Sequence, residues 1–310
     1  MRVYRLLPIA TLIVFAGCSG DNVSTLVTPD PHAAMRWVNL VPDTIPMDYR
    51  IIDVVTNANE PNIGYRGSSG AYRQVPPGAH HIRVFPSGST VGACNGPSVV
   101  SQILLDTTVT FTVNHYYTVF HAGYMKSAGS PKHRLVVTDD AFPAAAVGAI
   151  SIRVGNAFPT ASDIFVAGAV AASGAVTAPA AFPNVAFGSV SAYAPFPTAR
   201  TTPSASSYRA TATAAGTTTP ILADGLLPVG TPAFPGSASV PALDPVGGTQ
   251  QDGSVLTSVA TPPAVSYTLT SSGSQSACPP PGTQTVIAGT ATGAIVTLVD
   301  KNPKDKLLGS

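Results

Sequence analysis

Charge is scarce in this sequence: Asp, Glu, Lys and Arg make up 10% of its 310 residues, against roughly 25% in an ordinary soluble domain. Neither sign is in excess, with 16 Lys plus Arg against 15 Asp plus Glu. Without a basic stripe there is no electrostatic footprint for a phosphate backbone, so nucleic acid is not an expected partner. No glycine pattern of the Walker or dinucleotide-binding type stands between a strand and a helix, so no nucleotide cofactor is expected. Gly67-Ser68-Ser69-Gly70 lacks the full nucleophile elbow and reads as a hairpin loop. Cysteine is rare, with Cys18, Cys94 and Cys278 the only three.

What is abundant is proline and glycine, 30 and 28 residues, beside 45% hydrophobic residues. Proline lacks an amide donor and glycine carries an entropic cost inside helices, so long helices are disfavoured and short strands with many turns remain. The hydrophobic content gives the chain apolar surface to bury, which argues against disorder throughout. The length suits two domains of ordinary size.

The first residues, Met1 to Cys18, carry Arg2 and Arg5, an uncharged apolar run from Leu6 to Ala16, and the small pair Ala16-Gly17. That is the layout of a secretory signal. The run has about 11 residues, too few for a membrane-spanning helix, which needs about 20. Phe15-Ala16-Gly17-Cys18 resembles the lipobox of bacterial lipoproteins, with Phe15 in place of the usual aliphatic residue. The resemblance implies cleavage after Gly17 and a diacylglyceryl group on Cys18. Each buried methylene then contributes about 0.8 kcal/mol to membrane affinity. Ser19 stands where an Asp would, by resemblance to enterobacterial sorting, favour the inner membrane, so an outer-membrane lipoprotein of the cell envelope is expected. Residues 18–34 read as a flexible tether.

The mature chain repeats itself. Arg36-Trp37-Val38-Asn39-Leu40-Val41-Pro42 aligns with Arg153-Val154-Gly155-Asn156-Ala157-Phe158-Pro159, sharing Arg, Asn and Pro, and Asp48 and Asp163 each lead the next strand. Asn62-Ile63-Gly64-Tyr65 with Tyr72 is echoed by Asn184-Val185-Ala186-Phe187 with Tyr193. His81 to Val84 is set against Tyr208 to Thr211, and Leu135 to Asp139 against Val296 to Asp300. Period-two alternation, clearest in Thr108-Val109-Thr110-Phe111-Thr112-Val113, predicts strands. Others are expected at 35–41, 47–55, 80–85, 99–105, 116–121 and 135–138. The fold class is all-β: two tandem antiparallel β-sandwiches of immunoglobulin-like type at 35–143 and 148–303. Residues 141–149 link them and would let them pack end to end. The Ala-, Thr- and Pro-rich stretch 195–253 reads as extended loops or partial disorder.

Arg36, Asn39, Pro42-Asp43, Asp48, Tyr72 before Pro77-Gly78, Tyr117-Thr118-Val119 and Val137-Thr138-Asp139-Asp140 together resemble domain-of-unknown-function family 4397. The resemblance implies an exported bacterial protein with β-sandwich domains, here in two tandem copies, and brings no catalytic residue. Thr160 in place of an Asp and Thr198-Ala199 in place of Pro-Gly mark the second copy as divergent.

Three functional readings follow. The first is a non-enzymatic envelope module, anchored to the membrane by lipid, that binds an envelope protein or glycan or acts as a spacer. The second is a secreted hydrolase of polysaccharide or ester, with Asp48 and Asp139 as the first acid and base to inspect. The third is metal capture, needing His81, His115 and His121 together; adjacent His80 and His81 point to opposite faces of a strand. Turn bonding by the aspartates and incidental histidines are the simpler reading of those residues. No catalytic, cofactor or metal residue is expected. Cys94 and Cys278 could pair in an oxidising compartment if the two copies fold back on each other.

Overall fold

A computed structural model describes residues 31–87, 103–125, 131–168, 176, 178–199, 207–237, 239–268, 283–286 and 292–308. Cys18, Cys94 and Cys278, with the leader and most of the tether, lie outside them. The described residues contain no α-helix.

The first half has eight strands: β1 (Ala33–Leu40), β2 (Met47–Ile51), β3 (Glu60–Ile63), β4 (Arg73–Val75), β5 (Gly78–Pro86), β6 (Leu105–Phe111), β7 (Tyr116–Ala122) and β8 (Arg134–Asp139). They form two sheets, β4-β1-β7-β8 and β3-β2-β5-β6. Alternation sets the core between them: Met35 and Trp37 on β1 and Val119 on β7 meet Tyr49, Ile82, Val84 and Phe111 of the other sheet. Trp37 stacks on Tyr49 with centroids 5.0 Å apart, and its indole nitrogen donates to the Ala58 carbonyl at 2.6 Å. In β6, Val109 and Phe111 face inward while Thr108 and Thr110 are exposed, as their alternation predicts.

The second half contains β9 (Ala149–Asn156), β10 (Ser162–Gly168), β11 (Phe182–Val185), β12 (Ala194–Pro197), β13 (Tyr208–Ala214), β14 (Ile221–Leu226), β15 (Val255–Thr261), a hairpin of β16 (Val265–Thr268) with β17 (Thr283–Val286), and β18 (Gly293–Lys301). Its strand order repeats the first: β12-β9-β15-β18 matches β4-β1-β7-β8, and β11-β10-β13-β14 matches β3-β2-β5-β6. A short parallel contact between β14 and β18 joins the two into one eight-stranded sheet wrapped around its own core. That core uses smaller side chains, with Ala210, Ala212, Ala223 and Ala260 beside Ile150, Ile152 and Ile164.

Several expectations are corrected. The sheets are mixed, since β1 pairs with β7, and β9 with β15, in parallel. Strand β1 begins at Ala33, inside the stretch read as tether, because Ala33 and Ala34 are already paired with β4 and buried. Residues 52–55 leave the sheet after Ile51, whereas 99–102 fall outside the described residues. The short β3 and β4 lack alternation long enough to see. Within the stretch 195–253, β13 and β14 are more regular than the composition implies: Thr and Ala alternate across β13, with Ala210 and Ala212 in the core, and β14 pairs beside it, whereas the described residues between β14 and β15 form the extended loop expected there.

The halves meet face to face, not end to end. Every residue of β1 and of β15 is buried, so each strand has core on one side and the opposite half on the other. Residues from Pro31 onward form one compact unit.

Candidate functional site

The seam between the halves is where side chains converge. Its apolar part joins Val38, Leu40, Phe120 and Ala122 of the first half to Ala157, Val259 and Leu298 of the second. Gly155 lines the same place, and a Cβ there would press on its own half, 3.3 Å from Val259 and 3.5 Å from Val190.

The polar part is built twice, with an exchange. Arg36 on β1 donates through Nε to Thr118 at 2.9 Å and through Nη1 to the Val299 carbonyl at 3.1 Å, and its Nη2 pairs with Asp300 of the other half. Arg153 on β9 donates through Nε to Thr257 at 2.7 Å, and its Nη2 pairs with Asp140 of the first half. Each aspartate also accepts from its own half. Asp140 takes Thr118 at 2.5 Å and Tyr72 at 2.6 Å; Asp300 takes Thr257 at 2.5 Å and Tyr193 at 2.9 Å. The guanidinium of Arg36 lies 4.5 Å over the Tyr72 ring, and that of Arg153 lies 4.6 Å over Tyr193. Burial opposes the charge on both arginines, but the aspartates outweigh it and raise both pKa values. Burial raises the Tyr72 and Tyr193 phenols in the same way, so they serve as donors.

The other repeated residues have local tasks. Asn39 donates to the Ile63 carbonyl at 2.9 Å and accepts the Val41 amide at 3.1 Å; Asn156 donates to Val185 at 2.8 Å and accepts the Phe158 amide at 2.9 Å. Asp48 accepts the Asn62 amide at 2.8 Å and Asp163 accepts that of Asn184 at 2.7 Å. Both asparagines adopt left-handed φ, 59° and 52°, a region that short polar side chains tolerate.

Residues 33–167 match the family described as domain of unknown function (DUF4397). The DUF4397 match spans β1 to β9 and nearly all of β10, so it takes in Arg36, Asn39 and Asp48 and also Arg153, Asn156 and Asp163. No curated protein matches the chain.

Outside the seam, the residues singled out from sequence do not converge. His81 pairs with Asp106, and His115 Nδ1 lies 2.6 Å from Asp139. His121 Nδ1 lies 3.1 Å from the Tyr49 hydroxyl and its Nε2 3.1 Å from His133. Among the described residues no three His, Cys, Asp or Glu side chains form a metal-binding group. His80 is buried and His81 half-buried on the opposite face, as strand alternation requires. Asp139 pairs across from Tyr117, at the end of the sandwich where β1 starts, whereas Asp48 follows the turn after the far end of β1. The two carboxylates therefore sit at opposite ends. The Gly67–Gly70 stretch is an irregular edge laid along β1, with Ser69 Oγ accepting the Trp37 amide at 2.9 Å.

Beside the polar part of the seam lies an open cleft of about 290 Å³, lined by Tyr72, Tyr116, Phe142, Lys301, Asn302 and Lys306 among others. Its rings form a cluster, with Tyr116 5.0 Å from Phe142 and 5.2 Å from Tyr72. Repetition does not point to this cleft, because Phe142 lies in the linker and Lys301 follows the last repeated residue, Asp300.

Proposed function

We propose that the chain is a non-catalytic, lipid-tethered module of the bacterial cell envelope, in which residues 149–301 form a second copy of the DUF4397-type domain. The observation that carries this reading is the exchanged seam: the buried arginines and aspartates are each bonded to one another across the halves, which fixes them as one rigid body. The repeated strand order, with Arg153, Asn156 and Asp163 in the places of Arg36, Asn39 and Asp48, supports the second copy. Separation of Asp48 from Asp139 weighs against a hydrolase built on that pair. A rigid body on a lipid tether suits presentation of loops to an envelope protein or glycan, or spacing between layers.

Metabolic labelling with a radioactive fatty acid tests the anchor. Wild-type chain should take up label and partition into detergent, and Cys18→Ser should do neither. A labelled Cys18→Ser chain would overturn the tether. Immobilised chain should retain a cell-wall polymer or an envelope protein from fractionated envelopes; retention of nothing, with self-assembly instead, would favour the spacer.

A further inference from the structure

Lys301 directly follows the seam aspartate Asp300 and takes no part in the exchange of ion pairs. Lys301 is only 9% exposed as a residue and lines the cleft, and among the described residues nothing gives its ammonium a hydrogen bond or an ion pair, so the buried stem delivers the charged end to the open cleft. A long basic side chain commonly buries its methylene stem and keeps its charged head in water, where an anion can reach it. Its counterpart in the first half, one residue after the seam aspartate, is Ala141, so the repeat does not demand a lysine here.

We propose that this cleft binds a carboxylate-bearing sugar ring, with Lys301 as the charge partner and the Tyr72, Tyr116 and Phe142 cluster as the apolar wall. The local charge sets the class of anion. Asp300 is neutralised by Arg36. Asp305 accepts from the Asn302 amide at 2.8 Å and from its side chain at 3.0 Å. Lys301 and Lys306 against Asp305 leave one net positive charge, which suits a singly charged carboxylate better than a doubly charged phosphate. The wall sets the body of the ligand, because aromatic faces favour apolar ring surfaces. The Tyr116 hydroxyl is already engaged by the Leu308 amide at 2.8 Å, so its ring, not its hydroxyl, faces the task.

This deepens the binding version of the function above and rests on it. The test is calorimetric and saturation-transfer titration of the purified full chain with D-glucuronate, D-glucose, acetate and inorganic phosphate. Glucuronate should bind at least tenfold more tightly than the other three. Lys301→Met should weaken it at least tenfold, about 1.4 kcal/mol, whereas Lys304→Met, whose lysine pairs with Asp244 at the surface, should leave it unchanged. Phe142→Leu keeps the proposal testable should Lys301→Met not fold: it should weaken glucuronate severalfold and leave acetate as it was. A folded Lys301→Met chain that binds like wild type would refute the site, as would acetate or phosphate binding as tightly as glucuronate. If glucuronate does not bind while immobilised chain still retains an envelope polymer, the cleft is refuted and the binding function stands.

Discussion

Replacing Arg36 by methionine tests whether the seam holds the molecule together. The substitution keeps most of the side-chain volume but strips the hydrogen bonds to Thr118 and the Val299 carbonyl and leaves Asp300 without its cation. Both members of the pair are buried, at 1% and 0% exposure, so solvent does not take over the lost partner. Removing one side of such a pair costs about 3 to 5 kcal/mol, which lowers the melting temperature of a domain of this size by roughly 2 to 4 °C per kcal/mol. Urea unfolding followed through Trp37, the single tryptophan, reads the first half, and far-ultraviolet dichroism reads both. Arg36→Met should move both transitions together, and Arg153→Met, in the other half, should shift the Trp37 transition by a similar amount. A double replacement, Arg36→Met with Asp300→Leu, should cost less than the sum of the singles, because no uncompensated charge remains. An unmoved Trp37 transition in Arg153→Met would refute the reasoning, since the halves would then unfold independently.

Burial, with the neighbouring His133 adding to it, depresses the pKa of His121 to about 3. The unfolded chain protonates near pH 6.5 while the folded chain stays neutral, so stability is full above that pH and is lost as pH falls toward 3, at about 1.4 kcal/mol per pH unit. His121→Gln should lose less stability than wild type between pH 6 and pH 4 in urea titrations; equal slopes would show that His121 is not the group responsible. Asn39→Ala and Asn156→Ala should each destabilise by about 1 to 3 kcal/mol, because each strands buried backbone groups; a large inequality in chemical denaturation would separate their roles. Gly293→Ala places a methyl group 2.0 Å from the Thr261 carbonyl and 2.6 Å from Phe158, and should lower the melting temperature by several degrees in calorimetry, more than Gly64→Ala, which meets nothing within 4 Å.

Much of the seam was legible as repetition. Arg36 with Arg153, Asn39 with Asn156, Asp48 with Asp163 and Tyr72 with Tyr193 recur in sequence, and in the structure they occupy equivalent places. Two alignments were off by one residue. The partner of Asp300 is Asp140, not Asp139, because Thr118 lies opposite Thr138 while Thr257 lies opposite Leu298; the doublet Asp139-Asp140 hides this in sequence. Likewise Asp48 faces Phe85 and Asp163 faces Thr213, which sets His81 against Arg209, not Tyr208. A strand of alternating Thr and Ala carries a period of two but no mark of register. Face-to-face packing did leave a trace: β1 and β15 lack the inside-outside alternation of a half-exposed strand, and a strand covered on both faces reads that way. The exchange of ion pairs left none, since recurrence of Arg and Asp does not say whether each joins its own copy or the other.

Because each half carries both the arginine and the aspartate of the exchange, the surface that closes one molecule is the same surface that would close two. Only the nine-residue stretch from Ala141 to Ala149 keeps the match within a chain, by holding the complementary face at an effective concentration in the millimolar range. Newly made chains crowded above that level would trade halves with their neighbours and form swapped dimers whose seam contacts are native, so the linker decides whether the product is single or double.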